Sequence, residues 1–273
     1  RSYITISGDS WPGLEGVKAV LDGSQQVTGW AKCNSQAECL NNSNWQNLYY
    51  SYIKKPSFLD LAPALFLNAY QDGQPLNAAQ YPDAVNARYP ENSNFLSILA
   101  SQVTSTSIQD DRLAQFGQEL VGKYLYIWIQ PNEIAVRKIN SFSNNTVTFA
   151  FVNVYTNRDT KYAIANLSNP AVFDRPGEYF LDETPGSDER LKIYVWPLNS
   201  SDIRYKNDVV FSNQEHGLEI WRPNYIILEG FKIQYITGDS FCQNISSFTC
   251  EGSAINSPFN SSKGSDFIVR NNE

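Results

Sequence analysis

The chain has 273 residues, enough for one large domain or two small ones. Hydrophobic residues make up 42% of it and aromatic residues 14%, which permits a sizeable core and excludes a wholly disordered chain. The formal net charge is −7 and the 21 Lys and Arg residues form no basic cluster, so we expect no nucleic-acid partner. Apolar stretches such as 125–129 and 225–228 are far shorter than the roughly 20 residues of a membrane helix.

Strand patterns dominate the first three quarters of the chain, because runs of β-branched and aromatic residues alternate with polar ones between turn signals. In chain order, these patterns predict strands over residues 3–7, 17–21, 123–130, 134–139, 145–152, 179–181, 191–196 and 208–211. Helical patterns are confined to 95–103 and 111–120. The second begins at Asp110 and Asp111, where negative charge complements a helix dipole.

The last sixty residues show a repeating pattern of short strands, at 217–220, 225–233, 252–255 and 267–273. Aligning Leu228 with Val269 gives a repeat offset of 41 residues. Short strands that recur with Gly and Asn at the corners are typical of a β-solenoid, in which each coil packs on its neighbours. Asn271 and Asn272 are placed to satisfy backbone groups at such a corner. Two ordinary strands of a β-sandwich remain the alternative.

The four cysteines fall into two close pairs, Cys33 with Cys39 and Cys242 with Cys250. Neither spacing matches the C-x-x-C pattern of zinc or redox sites, and the single histidine, His216, is distant from both pairs in sequence. We therefore expect no metal site. We expect two local disulfide loops and an oxidising, secreted or cell-surface location. Four reduced thiols in a cytosolic protein remain the alternative.

Asparagines in the N-x-S/T pattern are candidate glycosylation sites, and they occur at Asn41, Asn144, Asn166, Asn199, Asn244 and Asn260. All but Asn166 lie in polar, turn-like stretches, where a glycan would be solvated. We expect glycans on at least Asn144 and Asn244.

Glycoside hydrolysis needs two carboxyl groups about 5–10 Å apart. Glu178 and Asp182 share a face of a predicted strand but would lie about 13 Å apart along it. We therefore expect them to order a turn and to pair with Arg175 or Arg190. His216, at a predicted corner, has no Ser or Cys nucleophile nearby to complete a triad. The other candidate acids are Asp174, Glu215, Glu229, Asp239 and Glu251. The residues predict no catalytic, cofactor-binding or metal site.

Three pairs of segments carry a family resemblance: 20–24 with 27–30, 64–73 with 78–82, and 174–182 with 191–197. They resemble the N-terminal part of secreted right-handed parallel β-helix proteins with pectate-lyase-like repeats. Asp-Arg-Pro-Gly-Glu-Tyr-Phe-Leu-Asp followed by Leu-Lys-Ile-Tyr-Val-Trp-Pro, in the third pair, is the closest match. Gln80 departs from the pattern, since the family commonly carries Arg there.

The resemblance implies a mostly β chain in which right-handed parallel β-helix coils are interrupted by a large inserted β-rich domain. It places an opening coil at 1–30, the inserted domain with short helices at 31–207, and regular, incomplete coils at 208–273. Many such proteins are glycoside hydrolases or polysaccharide lyases with catalytic residues on later coils. No catalytic residue of this chain can be assigned from them.

Three functions are compatible with these patterns. The sequence favours an extracellular, N-glycosylated structural protein of a cell-surface fibre, sheath or adhesin, because no catalytic constellation is present. Strand edges on a final coil predict self-association, head to tail, or pairing with further chain. The alternative is the N-terminal fragment of a secreted carbohydrate-active enzyme, a glycoside hydrolase or polysaccharide lyase. A non-catalytic sugar-binding module is the third hypothesis. A polysaccharide partner is compatible with all three, and no cofactor is expected.

Overall fold

Short strands make up most of the regular structure in the computed structural model, so the predicted mostly β class is confirmed. The structure describes residues 3–9, 12–13, 16–55, 68–84, 94–130, 133–154, 159–183, 190–214, 216–220, 225–236, 253–256 and 267–273. Each strand predicted from the sequence has a counterpart. Contacts divide the chain into two units, the first of Arg1–Gln25, Phe66–Asn68 and Phe211–Glu273 and the second of Gln26–Leu65 and Ala69–Val210.

The strands of the first unit pair in parallel. They are β1 (Ile4–Ser7), β2 (Ala19–Asp22), β19 (His216–Glu219), β20 (Ile226–Glu229), β21 (Phe231–Gln234), β22 (Ser253–Asn256) and β23 (Phe267–Arg270). β20 lies between β1 and β23, β2 pairs with β21, and β19 pairs with β22. These stacks are two or three strands deep in the described residues and do not close into a solenoid.

The register of the three-stranded stack follows the offset found in the sequence. Ile6 pairs with Leu228, and Leu228 pairs with Val269, which is the predicted spacing of 41 residues. Leu228 is fully buried, because an apolar residue in the middle strand is covered from both sides. The predicted offset of 41 residues is therefore confirmed, whereas the β-solenoid itself is not.

An asparagine connects successive corners of this unit. The Asn272 side-chain Oδ1 accepts a hydrogen bond of 2.9 Å from the backbone N–H of Phe231, and its Nδ2 donates to the Leu228 carbonyl at 3.2 Å. Gly230 and Asn271, one repeat apart, both adopt positive φ, at 77° and 56°. The predicted role of Asn272 is confirmed: its amide satisfies backbone groups where the chain turns from β20 into β21.

The second unit contains two larger sheets built mainly from antiparallel pairs. Its strands are β4 (Ala31–Lys32), β5 (Tyr49–Lys54), β6 (Ala69–Gln71), β7 (Gln74–Pro75), β8 (Asn77–Ala78), β9 (Gln80–Tyr81), β10 (Leu96–Ile98), β11 (Ser107–Gln109), β12 (Tyr124–Gln130), β13 (Glu133–Ser143), β14 (Thr146–Phe149), β15 (Thr160–Ala165), β16 (Glu178–Asp182) and β17 (Arg190–Trp196). The unit boundary falls within β3 (Ser24–Gln26) and β18 (Val209–Ser212).

The seven-stranded sheet has the order β10-β15-β12-β13-β14-β11, with β9 also paired to β15. The five-stranded sheet has the order β4-β5-β17-β16-β8, and only its β16–β8 pair is parallel. The main core of the unit packs on the seven-stranded sheet and includes Leu125, Ile127 and Tyr162, all fully buried. A smaller core joins the Cys33–Cys39 disulfide to aromatic residues of the five-stranded sheet.

The helical predictions need correction. Residues 95–103 form β10 and then a 3-10 helix at Ala100–Gln102, because Leu96 pairs with Tyr162 in the neighbouring strand. Residues 111–120 form two 3-10 helices in place of one α-helix, since Gly117 takes a positive φ of 55° at their junction. In the part of the chain that the structure describes, the other 3-10 helices are Trp45–Asn47 and Leu198–Ser200. Among the described residues, no helix is long and apolar enough to cross a membrane.

Candidate functional site

Three carboxylates of the second unit converge around Arg175. Oxygen atoms of Asp83, Asp174 and Glu178 all lie within 4.8 Å of one another. The Arg175 guanidinium contacts Asp83 at 3.4 Å and Glu178 at 3.1 Å, and its Nη2 donates to the Ala84 carbonyl at 2.7 Å. Glu178 Oε2 also accepts from the backbone N–H groups of Asp174 and Arg175, at 3.0 and 3.3 Å. The carboxylate of Glu178 therefore closes the turn before β16.

The electrostatics of this cluster are dominated by burial. Glu178 is fully buried, and this raises its pKa to about 7, although Arg175 and the backbone N–H groups oppose the shift. Burial, followed by the charge of Asp83, raises the pKa of Asp174. A carboxyl group with a pKa near 7 is suited to acid–base chemistry, but it must reach a substrate to act. Glu178 is enclosed and paired, so the cluster fits a structural role.

Glu178 and Asp182 do not lie close enough to form the carboxyl pair of a glycoside hydrolase. Glu178 and Asp182 lie at opposite ends of β16 and pair with different residues of β17, Trp196 and Lys192. They are four positions apart along an extended strand, which corresponds to about 13 Å. The ion pair predicted between Glu178 and Arg175 is confirmed.

Replacing Glu178 with glutamine is expected to remove a pH dependence of stability. The folded pKa of about 7 exceeds the unfolded value of 4.5, so between these values the folded state binds more protons, and rising pH favours unfolding. This difference amounts to about 3 kcal/mol between pH 4 and pH 8. In urea unfolding at both pH values, the free energy of unfolding of Glu178→Gln should rise relative to that of wild type as the pH rises. Asp111→Asn serves as the control for removing one exposed carboxyl group. A stability of Glu178→Gln that depends on pH as strongly as that of wild type would contradict the assignment.

A second group of charged and aromatic side chains lies on one face of the β5–β17 pair. Residues that alternate along a strand share a face, and the register sets them side by side across the pair. The β5–β17 face, as we name it, therefore consists of the cross-strand pairs Tyr50–Tyr194, Tyr52–Lys192 and Lys54–Arg190.

Cations lie over the aromatic rings of the β5–β17 face. The Lys192 ammonium is 4.2 Å from the ring centroid of Tyr50 and 4.7 Å from that of Tyr194. The Arg190 guanidinium is 5.2 Å from the ring centroid of Tyr52. Burial lowers the pKa of Lys192, and the charges of Asp182 and Glu38 oppose this shift. The Tyr50 hydroxyl donates to Glu38 at 2.7 Å, which fixes the ring beneath the lysine.

Exposure changes steadily along this face. Tyr194 is 3% exposed and packs with Phe180 and Trp196 in the core that contains the disulfide. Tyr52 is 49% exposed, and the side chains of Lys54 and Arg190 beyond it are also exposed. One end of the face is thus anchored, while the other presents an aromatic ring and two cations to solvent.

The predicted disulfide and glycosylation residues fall in different environments. Cys33 and Cys39 form a disulfide, as predicted, whereas Cys242 and Cys250 lie outside the described residues. Of the asparagines in N-x-S/T patterns, three are exposed and adopt positive φ: Asn41 and Asn144 in turns, and Asn199 in the 3-10 helix Leu198–Ser200. The positions Asn244 and Asn260 lie outside the described residues.

The glycosylation prediction must be corrected at Asn166. This residue is 2% exposed, its Nδ2 donates to the Leu181 carbonyl at 2.8 Å, and its Oδ1 accepts from the Leu181 N–H at 2.9 Å. An amide nitrogen buried in a paired contact has no room for a glycan.

The remaining candidates are dispersed. His216 begins β19 and pairs with Ser253, so it does not occupy the predicted corner. Glu229 forms an ion pair with Arg270 at 2.6 Å between neighbouring strands. The candidate acids outside the described residues are Glu215, Asp239 and Glu251.

Comparison with known proteins adds a likeness of fold. No family model and no curated protein matches the chain. A solved structure described as a glycoside hydrolase matches with a TM-score of 0.50 and 14% sequence identity. The match covers 81% of this chain but 37% of that protein, so the chain spans little more than a third of its length. At this identity, the likeness shows a shared fold alone. The disulfide is compatible with a secreted protein.

Proposed function

We propose that this chain is the N-terminal part of a secreted carbohydrate-active enzyme, a glycoside hydrolase or polysaccharide lyase. The observation that carries the proposal is the fold likeness to a glycoside hydrolase, which covers most of this chain and a minor part of that protein. The larger part of such an enzyme would lie outside the residues matched here. Its catalytic groups would then lie on that larger part.

The pairing in the first unit supports parallel β-helix coils as the scaffold of that enzyme. Leu228 and Val269 pair at the offset of 41 residues, and Asn272 bonds to backbone groups of the preceding repeat. We include in the proposal the division into an opening coil at 1–30, an inserted domain at 31–207 and regular coils at 208–273. Ile268 and Val269 of β23 are 37% and 45% exposed, and a following coil would cover them.

The chemistry of the described residues supports a catalytic centre elsewhere in the enzyme. Glu178 has the properties of a perturbed acid but is enclosed and bound to Arg175. The carboxylates of a glycosidase flank an accessible bond, so this cluster is unsuited to the reaction.

The fibre, sheath or adhesin hypothesis favoured by the sequence gains no support from the comparisons. It rests on the lack of a catalytic constellation and on the need of a final coil's apolar strands for a partner. Coils of the same polypeptide would cover Ile268 and Val269 equally well, without self-association. The glycoside hydrolase likeness favours the enzyme over the fibre.

The proposal is tested on protein purified from its native source. We expect its intact mass to exceed that of 273 residues, and the purified protein to depolymerise one of a panel of neutral and acidic polysaccharides. Reducing-end release would detect hydrolysis, and ultraviolet absorbance of unsaturated products would detect elimination. The recombinant 273-residue chain is the matched control and should be inactive on the same substrate. A native protein of 273 residues that forms filaments and cleaves nothing would overturn the proposal.

A further inference from the structure

We propose that the exposed end of the β5–β17 face is a binding surface for a polysaccharide that carries uronic acid carboxylates. The residues that would make contact are Tyr52, Lys54, Arg190 and Lys192. Tyr52 and Lys192 pair across the two strands, as do Lys54 and Arg190, so the four side chains form one patch. The inference draws on the proposed function only in choosing a saccharide as the occupant, and it requires no catalysis.

The aromatic component of the patch fits the apolar face of a sugar ring. Tyr52 is 49% exposed, although the Arg190 guanidinium lies 5.2 Å from its ring centroid. The ring meets Tyr50 edge-on with their centroids 6.4 Å apart, so it is held by a neighbour. A tyrosine fixed in this way offers contact area at a small loss of conformational entropy.

The charge of the patch selects an anion. The whole chain carries a net charge of −7, yet Lys54, Arg190 and Lys192 bring three cations together on adjacent strands. Among the described residues, two carboxylates oppose these cations: Asp182, which lies opposite Lys192 in the neighbouring strand, and Glu38, which accepts from the Tyr50 hydroxyl. The three cations therefore exceed the nearby anions by one. The planar fork of an arginine matches a carboxylate with two parallel hydrogen bonds. A uronic acid combines this carboxylate with a sugar face that can stack on Tyr52.

The matched test compares two tyrosine–arginine pairs of the second unit. The Tyr52→Ala/Arg190→Gln variant alters the patch. The Tyr205→Ala/Arg204→Gln variant makes the same chemical change outside the sheets, where Tyr205 is 89% exposed and Arg204 lies 5.6 Å from its ring centroid. Circular dichroism and thermal unfolding would establish that both variants fold like wild type.

Binding of the 273-residue chain to polygalacturonate, dextran sulfate, dextran and single-stranded poly(dT) is measured by calorimetry at low and moderate salt. We expect polygalacturonate to bind best and to bind more weakly as salt rises. The patch variant should lose at least tenfold in affinity, and the Tyr205 variant should match wild type. The double variant of the patch could prove less stable than wild type. In that case Lys54→Gln, which changes an exposed residue at the end of the same patch, provides a second test, and it should lower the affinity severalfold.

Several outcomes would overturn the inference. Equal losses in both double variants would indicate a general effect of charge. Preference for dextran sulfate or poly(dT) would indicate a polyanion or nucleic-acid surface, and salt-independent binding of dextran would indicate a neutral glycan. The assay measures binding by the 273-residue chain, so a lack of binding would not contradict the proposed enzyme activity. Likewise, a lack of enzyme activity in the native protein would not contradict binding at the patch.

Discussion

Replacing Asp110 with alanine is expected to lower the free energy of unfolding by about 3 kcal/mol, because this carboxylate serves three partners at once. It is 5% exposed, and its Oδ1 accepts from the backbone N–H of Arg112 at 2.9 Å at the start of a 3-10 helix. The Arg112 guanidinium pairs with it, and the hydroxyl of fully buried Tyr162 donates to it at 2.8 Å. The alanine variant leaves that hydroxyl without an acceptor. Urea unfolding followed by tryptophan fluorescence measures the loss.

Two variants separate the contributions of Asp110. Asp110→Asn keeps an oxygen acceptor and removes the charge, so it should lose less stability than Asp110→Ala. In a double-mutant cycle, Tyr162→Phe should lower stability less when Asp110 is already alanine, because the hydroxyl then has no partner to lose. A loss below about 1 kcal/mol for Asp110→Ala would contradict the assignment.

The contribution of the Asp110 carboxylate to stability should decrease at acidic pH. Burial raises the pKa of Asp110, but hydrogen bonds from Arg112 and Tyr162 outweigh burial and hold it below its usual value. A lowered folded pKa stabilises the protein above the unfolded value of 3.8, and this stabilisation is lost as the pH falls below it. The stability difference between wild type and Asp110→Ala should therefore narrow in acid.

Local patterns in the sequence located several of the longer strands and one repeat offset, but they did not predict β5 or β15. Alternation identified β12 and β17 to within one residue at each end, because their side chains divide between a buried and a less buried face. The spacing of Leu228 and Val269 yielded their register, since equivalent residues of stacked strands recur at a fixed interval. Asn272 could be assigned because a corner leaves backbone groups that an amide can satisfy.

Local sequence patterns did not predict the features that depend on non-local contacts. The local pattern of segment 95–103 predicts a helix, but pairing with β15 makes Leu96–Ile98 a strand. Arg175 was expected to pair with Glu178, three residues away, while its contact with Asp83 joins parts of the chain more than ninety residues apart. No local pattern encodes such a contact.

The β5–β17 face shows the same limit for the candidate site. The sequence has tyrosines at positions 49, 50 and 52, and basic residues that alternate with apolar ones at 190–193. The sequence predicts the strand over 191–196, but it predicts none over 49–54, where the structure has β5. Only the register, which sets Tyr52 beside Lys192, brings the aromatic and cationic residues into one surface.

Replacing Gly230 with alanine is expected to destabilise the first unit by about 2–3 kcal/mol, for two separable reasons. Gly230 turns the chain between β20 and β21 with a φ of 77°, a conformation that side chains with a Cβ disfavour. An added Cβ would also lie 2.4 Å from Cγ of Asp9, a residue that accepts a hydrogen bond of 2.8 Å from Ser7. Urea unfolding followed by far-ultraviolet circular dichroism measures the loss, and hydrogen exchange of β1 and β20 amides locates it.

Gly16 provides the matched control, because its φ is 83° and an added Cβ would meet nothing within 4 Å. Gly16→Ala should therefore show the backbone strain alone, about 1 kcal/mol. The excess loss in Gly230→Ala measures the clash, and adding Asp9→Ala should relieve that excess. Equal losses at Gly16 and Gly230 would mean that Asp9 moves aside freely. A larger loss of stability at Gly230 that Asp9→Ala relieves would show that the corner after β1, at Asp9, packs against the corner after β20, at Gly230. The parallel pairing of β1 with β20 brings these two corners together.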